Sequence, residues 1–401
     1  MEFRVEINMN CEGNRLGHIY YNQPERHEIK AAQHTLEDLC REKATELFGD
    51  SEPVSERLEC ELRHLEATDS AFHFLVLKEI AELSAEEKEW MFCVGSGAPF
   101  VEYLLGASPI NPLPSHYRCE TCHRTEFSSD AKDGYDLPRR VCPFCGNELA
   151  RDGHNCSAYM HQYDRRGKVA WPYYGVFISD GVLEKLQHRL DSRLVYTASK
   201  DHIFCDIEFL VLSKSGILRR LLKETGTSNR EIPLDDISIW KQVAKEQYRS
   251  CILDLMNPED RIDALKAEQH HPTDAVETAA SSIYDLTRIF GLRIGSFTEY
   301  PAQTEWNSPA FYTTKDDIFD ALVESGFSAD KAAIMAHGIG WGQNHWLNQV
   351  PSAIVGNMYA HENLWKRHSC LNRLFVCYLL KWYEIHFPKE YQAISDDATR
   401  K

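Results

Sequence analysis

The sequence predicts an α+β fold: a mixed sheet with helices, an inserted cysteine module, and a mainly helical C-terminal half. Three observations predict it. Short alternating or apolar runs suited to strands open the chain and return over 171–212. Helical apolar spacing covers much of 27–65 and most of the chain beyond Gly216. Between them lies a turn-rich stretch, 106–170, holding Cys119-Glu-Thr-Cys122 and Cys142-Pro-Phe-Cys145. The organisation expected is a helical segment over 1–110, the cysteine module over 111–170, strands over 171–212 and a helical region over 213–401.

In chain order, Phe3-Arg-Val-Glu-Ile-Asn8 alternates as a short strand does. From His27 to Phe48, Ile29, Ala32, Leu36, Leu39, Ala44 and Leu47 share one broad helical face. A second helix is expected from Pro53 to His64. Residues 72–83 mix aromatic and branched side chains and fit either helix or strand. Ser84-Ala-Glu-Glu reads as a capping box that starts a new helix. Tyr173–Ile178 and Ile203–Leu212 are strand-like, and helices are expected over 217–224, 236–256, 273–290, 315–325, 329–337 and 368–386. Gly326 ends one of these and Ser328 caps the next. Leu374-Phe-Val-Cys-Tyr-Leu-Leu380 is too short to span a bilayer and reads as a buried helix.

Two Cys-x-x-Cys knuckles separated by nineteen residues carry the strongest chemical signal. Each knuckle puts two thiolates on one tight turn, and two facing turns supply four soft ligands for a closed structural zinc site. Gly146 gives the backbone freedom to fold amides over the sulfurs. Two disulfides, a redox pair or an iron–sulfur cluster are the alternatives. An odd count of thirteen cysteines with no leading signal peptide argues against disulfides. Redox Cys-x-x-Cys pairs normally occur singly. Cys156, His123 and His154 lie close enough in sequence to replace a ligand. The remaining cysteines are scattered, as buried thiols in a reducing compartment are.

The net charge of −17 is uneven. Residues 1–110 carry 22 acids and 10 bases, and 111–180 balance at 9 and 9. Free nucleic acid is repelled by the first of these segments. A local basic cluster, Arg165-Arg166-Gly-Lys168, stands in the second. Asp235-Asp236 and Asp316-Asp317 read as helix-opening acids rather than ligands. His270-His271 reads as an ordinary loop pair. Gly338-Ile-Gly-Trp-Gly342 lacks the strand–loop–helix context of a phosphate loop. Trp341 and Trp346 read as packing residues between helices, with base stacking as the sharper alternative.

Several longer strings together resemble one family, the Gram-positive replicative DNA polymerase PolC, a C-family DNA polymerase III. Asn111-Pro-Leu-Pro-Ser-His-Tyr-Arg-Cys119 resembles its lead into a zinc module. Gly134-Tyr-Asp-Leu-Pro138 resembles the string between its knuckles, and Asp152-Gly-His154 and Gly167-Lys-Val169 follow as they do there. Val94-Gly-Ser96 is similar to part of the loop that holds the incoming triphosphate, making Gly95 and Ser96 its remnant. Weaker similarity runs from about residue 27 to 391. The resemblance implies a polymerase palm-like sheet, a zinc module and finger-like helices.

The departures fall on the chemistry. The family follows Gly-x-Lys-Val with a run holding two magnesium-binding aspartates. Here those positions become Trp171 and Tyr173, or Tyr173 and Gly175 if aligned on Pro172. The third aspartate falls near Glu208. Two-metal phosphoryl transfer needs convergent carboxylates, which aromatic side chains do not supply. The expectation is therefore a truncated, non-catalytic scaffold or binding protein linked to DNA replication or a mobile element, cytoplasmic, with no membrane span, no Mg²⁺ site and a protein partner. Weak DNA or RNA binding is expected through Arg165, Arg166, Lys168, Arg219 and Arg220. The alternative is a divergent nucleotidyltransferase using Glu208, Asp206 and a nearby acid such as Asp180 or Asp164.

Overall fold

The computed structural model describes residues 3–9, 15–22, 25–88, 92–94, 98–159, 162–163, 174–177, 181–182, 184–186, 203–211, 216–245, 282–288, 312–358 and 364–400. The chain divides into two compact units, Met1–Asn111 with Trp171–Pro233 and Leu379–Lys401, and Pro112–Ala170 with Leu234–Tyr378.

The first unit holds a five-stranded sheet ordered β1-β2-β8-β7-β3. Its strands are β1 (Phe3–Met9), β2 (Arg15–Asn22), β3 (Phe92–Val94), β7 (Tyr174–Phe177) and β8 (Ile203–Val211). All neighbours are antiparallel except β7 and β8, which run parallel. Three of the five strands come from 1–110, a segment expected to be helical.

Four helices of this unit precede and follow β3: α1 (Arg26–Phe48), α2 (Glu52–Ala67), α3 (Ala71–Glu86) and α4 (Pro99–Leu104). Of the face expected for α1, Ala32, Leu36 and Ala44 are buried, and Cys40 and Phe48 are buried with them, whereas Ile29, Leu39 and Leu47 are half-buried. Gly49 ends that helix at φ 64°. The ambiguous run 72–83 is helix, and its burial explains the ambiguity: Phe72, Phe74, Val76, Leu77, Ile80 and Leu83 leave almost no polar face. Ser84 starts no helix. It is buried in the last turn of α3, and the chain leaves the helix at Glu87. Glu61 of α2 is fully buried and accepts the amides of Phe100 and Val101 at 2.9 and 3.1 Å, while Arg57 neutralises it at 2.7 Å. One carboxylate thus fixes the start of α4.

In the second unit, β4 (His116–Cys119), β5 (Arg124–Phe127) and β6 (Ala150–Asp152) form a small antiparallel sheet ordered β5-β4-β6. Back in the first unit follows α5 (Gly216–Thr225), then in the second α6 (Ile237–Lys245) and a short helix over 283–288, α7. The chain continues through α8 (Lys315–Glu324), α9 (Ala329–Gly340), α10 (Ser352–Gly356), α11 (Arg367–His386) and α12 (Pro388–Arg400). Both expected caps are in place. Asp236 accepts the Ser238 amide at 2.8 Å to open α6, and Ser328 accepts the Lys331 amide at 3.4 Å to open α9. Ile318, Leu322, Ala332, Ala336 and Ile339 knit α8 to α9. Leu374–Leu380 is buried within α11. No described helix is long and apolar enough to cross a membrane.

Candidate metal centre

The first cysteine knuckle is the β4–β5 hairpin turn. Cys119 ends β4, and the chain reverses through His123 at φ 50°. The amide of Cys122 points back at the Cys119 sulfur at 3.3 Å. The second knuckle closes with Gly146 at φ 78°, whose amide donates to the Cys142 carbonyl at 2.9 Å. A side chain at Gly146 meets open space, so the backbone angle alone explains the glycine.

The two turns bring the sulfurs of Cys119, Cys122, Cys142 and Cys145 within 4.8 Å of one another. Cys119 Sγ lies 3.5 Å from Cys145 Sγ, and Cys142 Sγ lies 3.9 Å from Cys122 Sγ. Sulfurs about 2.3 Å from a tetrahedral zinc sit roughly 3.8 Å apart, whereas a disulfide needs about 2.0 Å. The donor set and spacing fit a structural zinc. Amides of Cys145 and Phe144 pull the Cys142 thiol down, whereas the sulfurs of Cys145 and Cys119 push Cys122 up. Two of the other candidate ligands, His154 and Cys156, make hydrogen bonds away from the sulfurs. His154 Nδ1 meets Asp133 Oδ2 at 2.8 Å, and the Cys156 thiol donates to the His154 carbonyl at 3.7 Å.

Around the sulfurs, Tyr117, Leu137 and Leu149 form a small core. The Tyr117 hydroxyl donates to the Pro138 carbonyl at 2.8 Å, and Arg140 lies 4.6 Å over its ring. The string 134–138 acquires a reason at each position. A Cβ on Gly134 would lie 1.9 Å from the Asp152 carbonyl oxygen, so only glycine allows that approach. Tyr135 meets His154 edge-on at 4.7 Å. Asp136 accepts the amides of Ile283 and Tyr284 at 2.7 and 3.1 Å and so opens α7. Leu137 fills the core and Pro138 supplies the carbonyl. Gly153, at φ 96°, would drive a Cβ to 2.3 Å from the Pro114 carbonyl oxygen. Burial pulls His154 down, but Asp133, with Asp152 and Asp136, outweighs it and holds the imidazole above its usual range.

The other expected site residues are not gathered here. Glu208 lies in β8, where its register partners are Gly175 in β7 and His18 in β2. Asp206 pairs with Tyr20. Arg220 is on α5 and lines a cleft of about 570 Å³ with Lys223, Glu224, Lys389, Glu390, Ala393 and Ile394. Arg219 is on the same helix. Gly95, Ser96, Asp164, Arg165, Arg166, Lys168, Trp171, Tyr173, Asp180 and His270-His271 lie outside the described residues.

Two features carry no sequence signal. Asp316 and Asp317 do open α8, but they also receive Arg367, which is 1% exposed. Arg367 Nη2 donates to Asp317 at 2.8 Å and Asp320 at 3.3 Å, and its amide donates to Asp316 at 2.7 Å. Fifty residues separate the partners, so no local spacing announces them. Trp346 packs beside the α8–α9 core as expected, whereas Trp341 does not pack between helices: its side chain is 58% exposed.

Comparison with known proteins finds no matching family model. It finds PolC-type DNA polymerase III of Oceanobacillus iheyensis, 35% identical over 132 residues, covering 32% of this chain and 9% of that protein. The PolC-type enzyme of Thermotoga maritima is 37% identical over 131 residues, or 31% of this chain and 10% of that one. That of Thermotoga petrophila is 36% identical over 215 residues, or 52% and 15%. The chain thus spans about 9 to 15% of the length of the curated relatives it matches. Over a third to a half of its own length, this chain is similar to PolC-type DNA polymerase III as a divergent relative.

Proposed function

We propose that this protein is a catalytically degenerate PolC-like scaffold or binding protein, linked to DNA replication or a mobile element. It holds one structural zinc through Cys119, Cys122, Cys142 and Cys145 and binds nucleic acid weakly. The observation that carries the reading is the register of the parallel strand pair. Glu208, the one acid retained where the relatives' third catalytic aspartate falls, pairs with Gly175 on one side and His18 on the other. Neither β7 nor β2 contains an Asp or Glu. Two magnesium ions about 4 Å apart need several convergent oxygen ligands, and this row offers one carboxylate. The cleft between α5 and α12 carries Arg220, Lys223 and Lys389, but Glu224 and Glu390 share it, which suits weak, salt-sensitive contact with phosphates.

The test is primer extension with Mg²⁺ and with Mn²⁺ on protein of verified zinc content. The expected result is no templated incorporation, unchanged by Glu208→Ala. Robust extension abolished by Glu208→Ala overturns the reading in favour of a divergent nucleotidyltransferase.

A further inference from the structure

The four residues of the cysteine cluster are not equally sheltered. Cys119 and Cys142 are 1% and 2% exposed, Cys122 is half-buried, and Cys145 is exposed. The surroundings of Cys145 are open as well: Phe144 is 67% exposed, and a Cβ built on Gly146 meets no atom within 4 Å. One ligand of the cluster is therefore within reach of a small solute, while the two buried ones are shielded.

The distances add a direction. Cys145 Sγ lies 3.5 Å from Cys119 Sγ, and Cys122 Sγ lies 3.9 Å from Cys142 Sγ. Both of these pairs join one knuckle to the other. Cys119 is fixed at the end of β4, where its sulfur accepts the Cys122 amide at 3.3 Å. The knuckles also meet without the sulfurs, because Asn147 Nδ2 donates to the Thr121 hydroxyl at 2.8 Å. A disulfide is about 2.0 Å long, so Cys119 and Cys145 need to close by only about 1.5 Å to form one.

We propose that Cys145 is the peroxide-sensitive ligand of the cluster, and that its oxidation joins it to Cys119 in a disulfide that replaces zinc as the link between the knuckles. The inference rests on the zinc reading given above. The oxidant is hydrogen peroxide. The Cys145 thiolate attacks it, the O–O bond breaks and an S–O bond forms, and the leaving hydroxide takes a proton to become water. The product is a sulfenic acid on Cys145. The Cys119 thiolate then attacks that sulfur, the S–S bond forms, the S–O bond breaks, and the departing hydroxide is protonated to a second water. Two thiolates, one peroxide and two protons have become a disulfide and two waters. The cluster is left with Cys122 and Cys142, too few thiolates for a closed four-ligand zinc site. A disulfide inside either knuckle would also end zinc binding, but it would leave the two turns unlinked. The bond between Cys119 and Cys145 keeps β4 tied to the second knuckle, so the module gives up its metal and takes it back on reduction.

The experiment starts from the full chain, reduced and with its zinc content verified by elemental analysis. The protein is treated with roughly one equivalent of hydrogen peroxide. Released zinc is followed with a chromogenic chelator, and cross-links are mapped on peptides after thiol alkylation. A bond between Cys119 and Cys145 is expected to be the first cross-link, appearing in step with released zinc, and reductant with added zinc should reverse both. Cys145→His keeps a zinc-binding side chain in place of the exposed thiol and should slow zinc release by about tenfold or more. If that variant fails to fold, mapping of the unaltered chain decides the proposal. A first cross-link inside a knuckle, between Cys119 and Cys122 or between Cys142 and Cys145, overturns it. So does zinc release while Cys145 is still open to alkylation, or zinc retained under excess peroxide. Protein isolated with no zinc defeats the zinc reading and this inference together, whereas any of those three results on zinc-loaded protein defeats the inference alone.

Discussion

The cysteine module and the five-stranded sheet constrain their residues in different ways. In the module, single residues are fixed by geometry: four sulfurs share one site, and Gly134 and Gly153 each face a backbone carbonyl closer than any Cβ allows. In the sheet, strands pair in good register, and the row through Glu208 carries a glycine and a histidine on the neighbouring strands. Packing constraints hold a residue in place whatever the protein does. A catalytic carboxylate is held only by its reaction, because a β-strand forms equally well without it. The difference is what the proposed loss of catalysis without loss of fold would produce.

The largest effect expected in this comparison is on metal. Purified protein should carry about one zinc per chain. Cys142→Ser should release it and unfold the module, since metal binding is most of the folding free energy of such a site. Elemental analysis that finds iron, or no metal, breaks the module half of the comparison.

Next is the close approach at Gly134. Gly134→Ala should cost ~1–3 kcal/mol in urea unfolding, the usual cost of forcing a methyl group into a filled site. A neutral Gly134→Ala would mean that the carbonyl of Asp152 gives way and that packing does not fix this residue.

A smaller effect concerns pH and the helices beside the sheet. Burial pulls His64 and His73 down to about 4. Their folded-state values lie below the unfolded ~6.5, so the fold holds them neutral. The stability they protect is fully present above ~6.5 and is lost as pH falls toward 4. The melting temperature should therefore drop between pH 7 and 4.5, and His73→Gln should make the slope shallower. A slope unchanged in that variant would assign the acid sensitivity to other groups. Smallest of all, and informative for that reason, is the null effect expected of Glu208→Ala on primer extension.

What the sequence disclosed follows the range of each interaction. The knuckles, the caps at Ser328 and Asp236, and the stripes of α1 and α8 are local patterns, and each was readable. The run in α3 was ambiguous because a helix buried all round has no periodicity to show. Ser84-Ala-Glu-Glu has the letters of a start signal but sits at a helix end. Strand β2 was missed because Gly17 and His18 interrupt its pattern, and its pairing with β8 lies almost two hundred residues away. Arg367 with Asp317, and Lys315 with Trp341, are set by the meeting of distant segments, which spacing does not encode.

The interleaving of the two units bears on how the chain is made. The first unit closes only with residues 379–401, because Tyr383 bonds Asn229 at 3.0 Å and Thr227 at 2.8 Å, and α12 packs against α5. A ribosome delivers α1–α4 first and the residues that complete their unit last. Helices α1–α4 pack on one another, but the residues that close their unit follow some 275 residues after α4 ends. At roughly 5–20 residues per second that interval is tens of seconds at the slow end, long enough for a chaperone to bind. The cysteine module has both knuckles in hand by residue 145 and needs nothing downstream to bring its four sulfurs together. Its four sulfurs are therefore all made long before the last residues of the first unit.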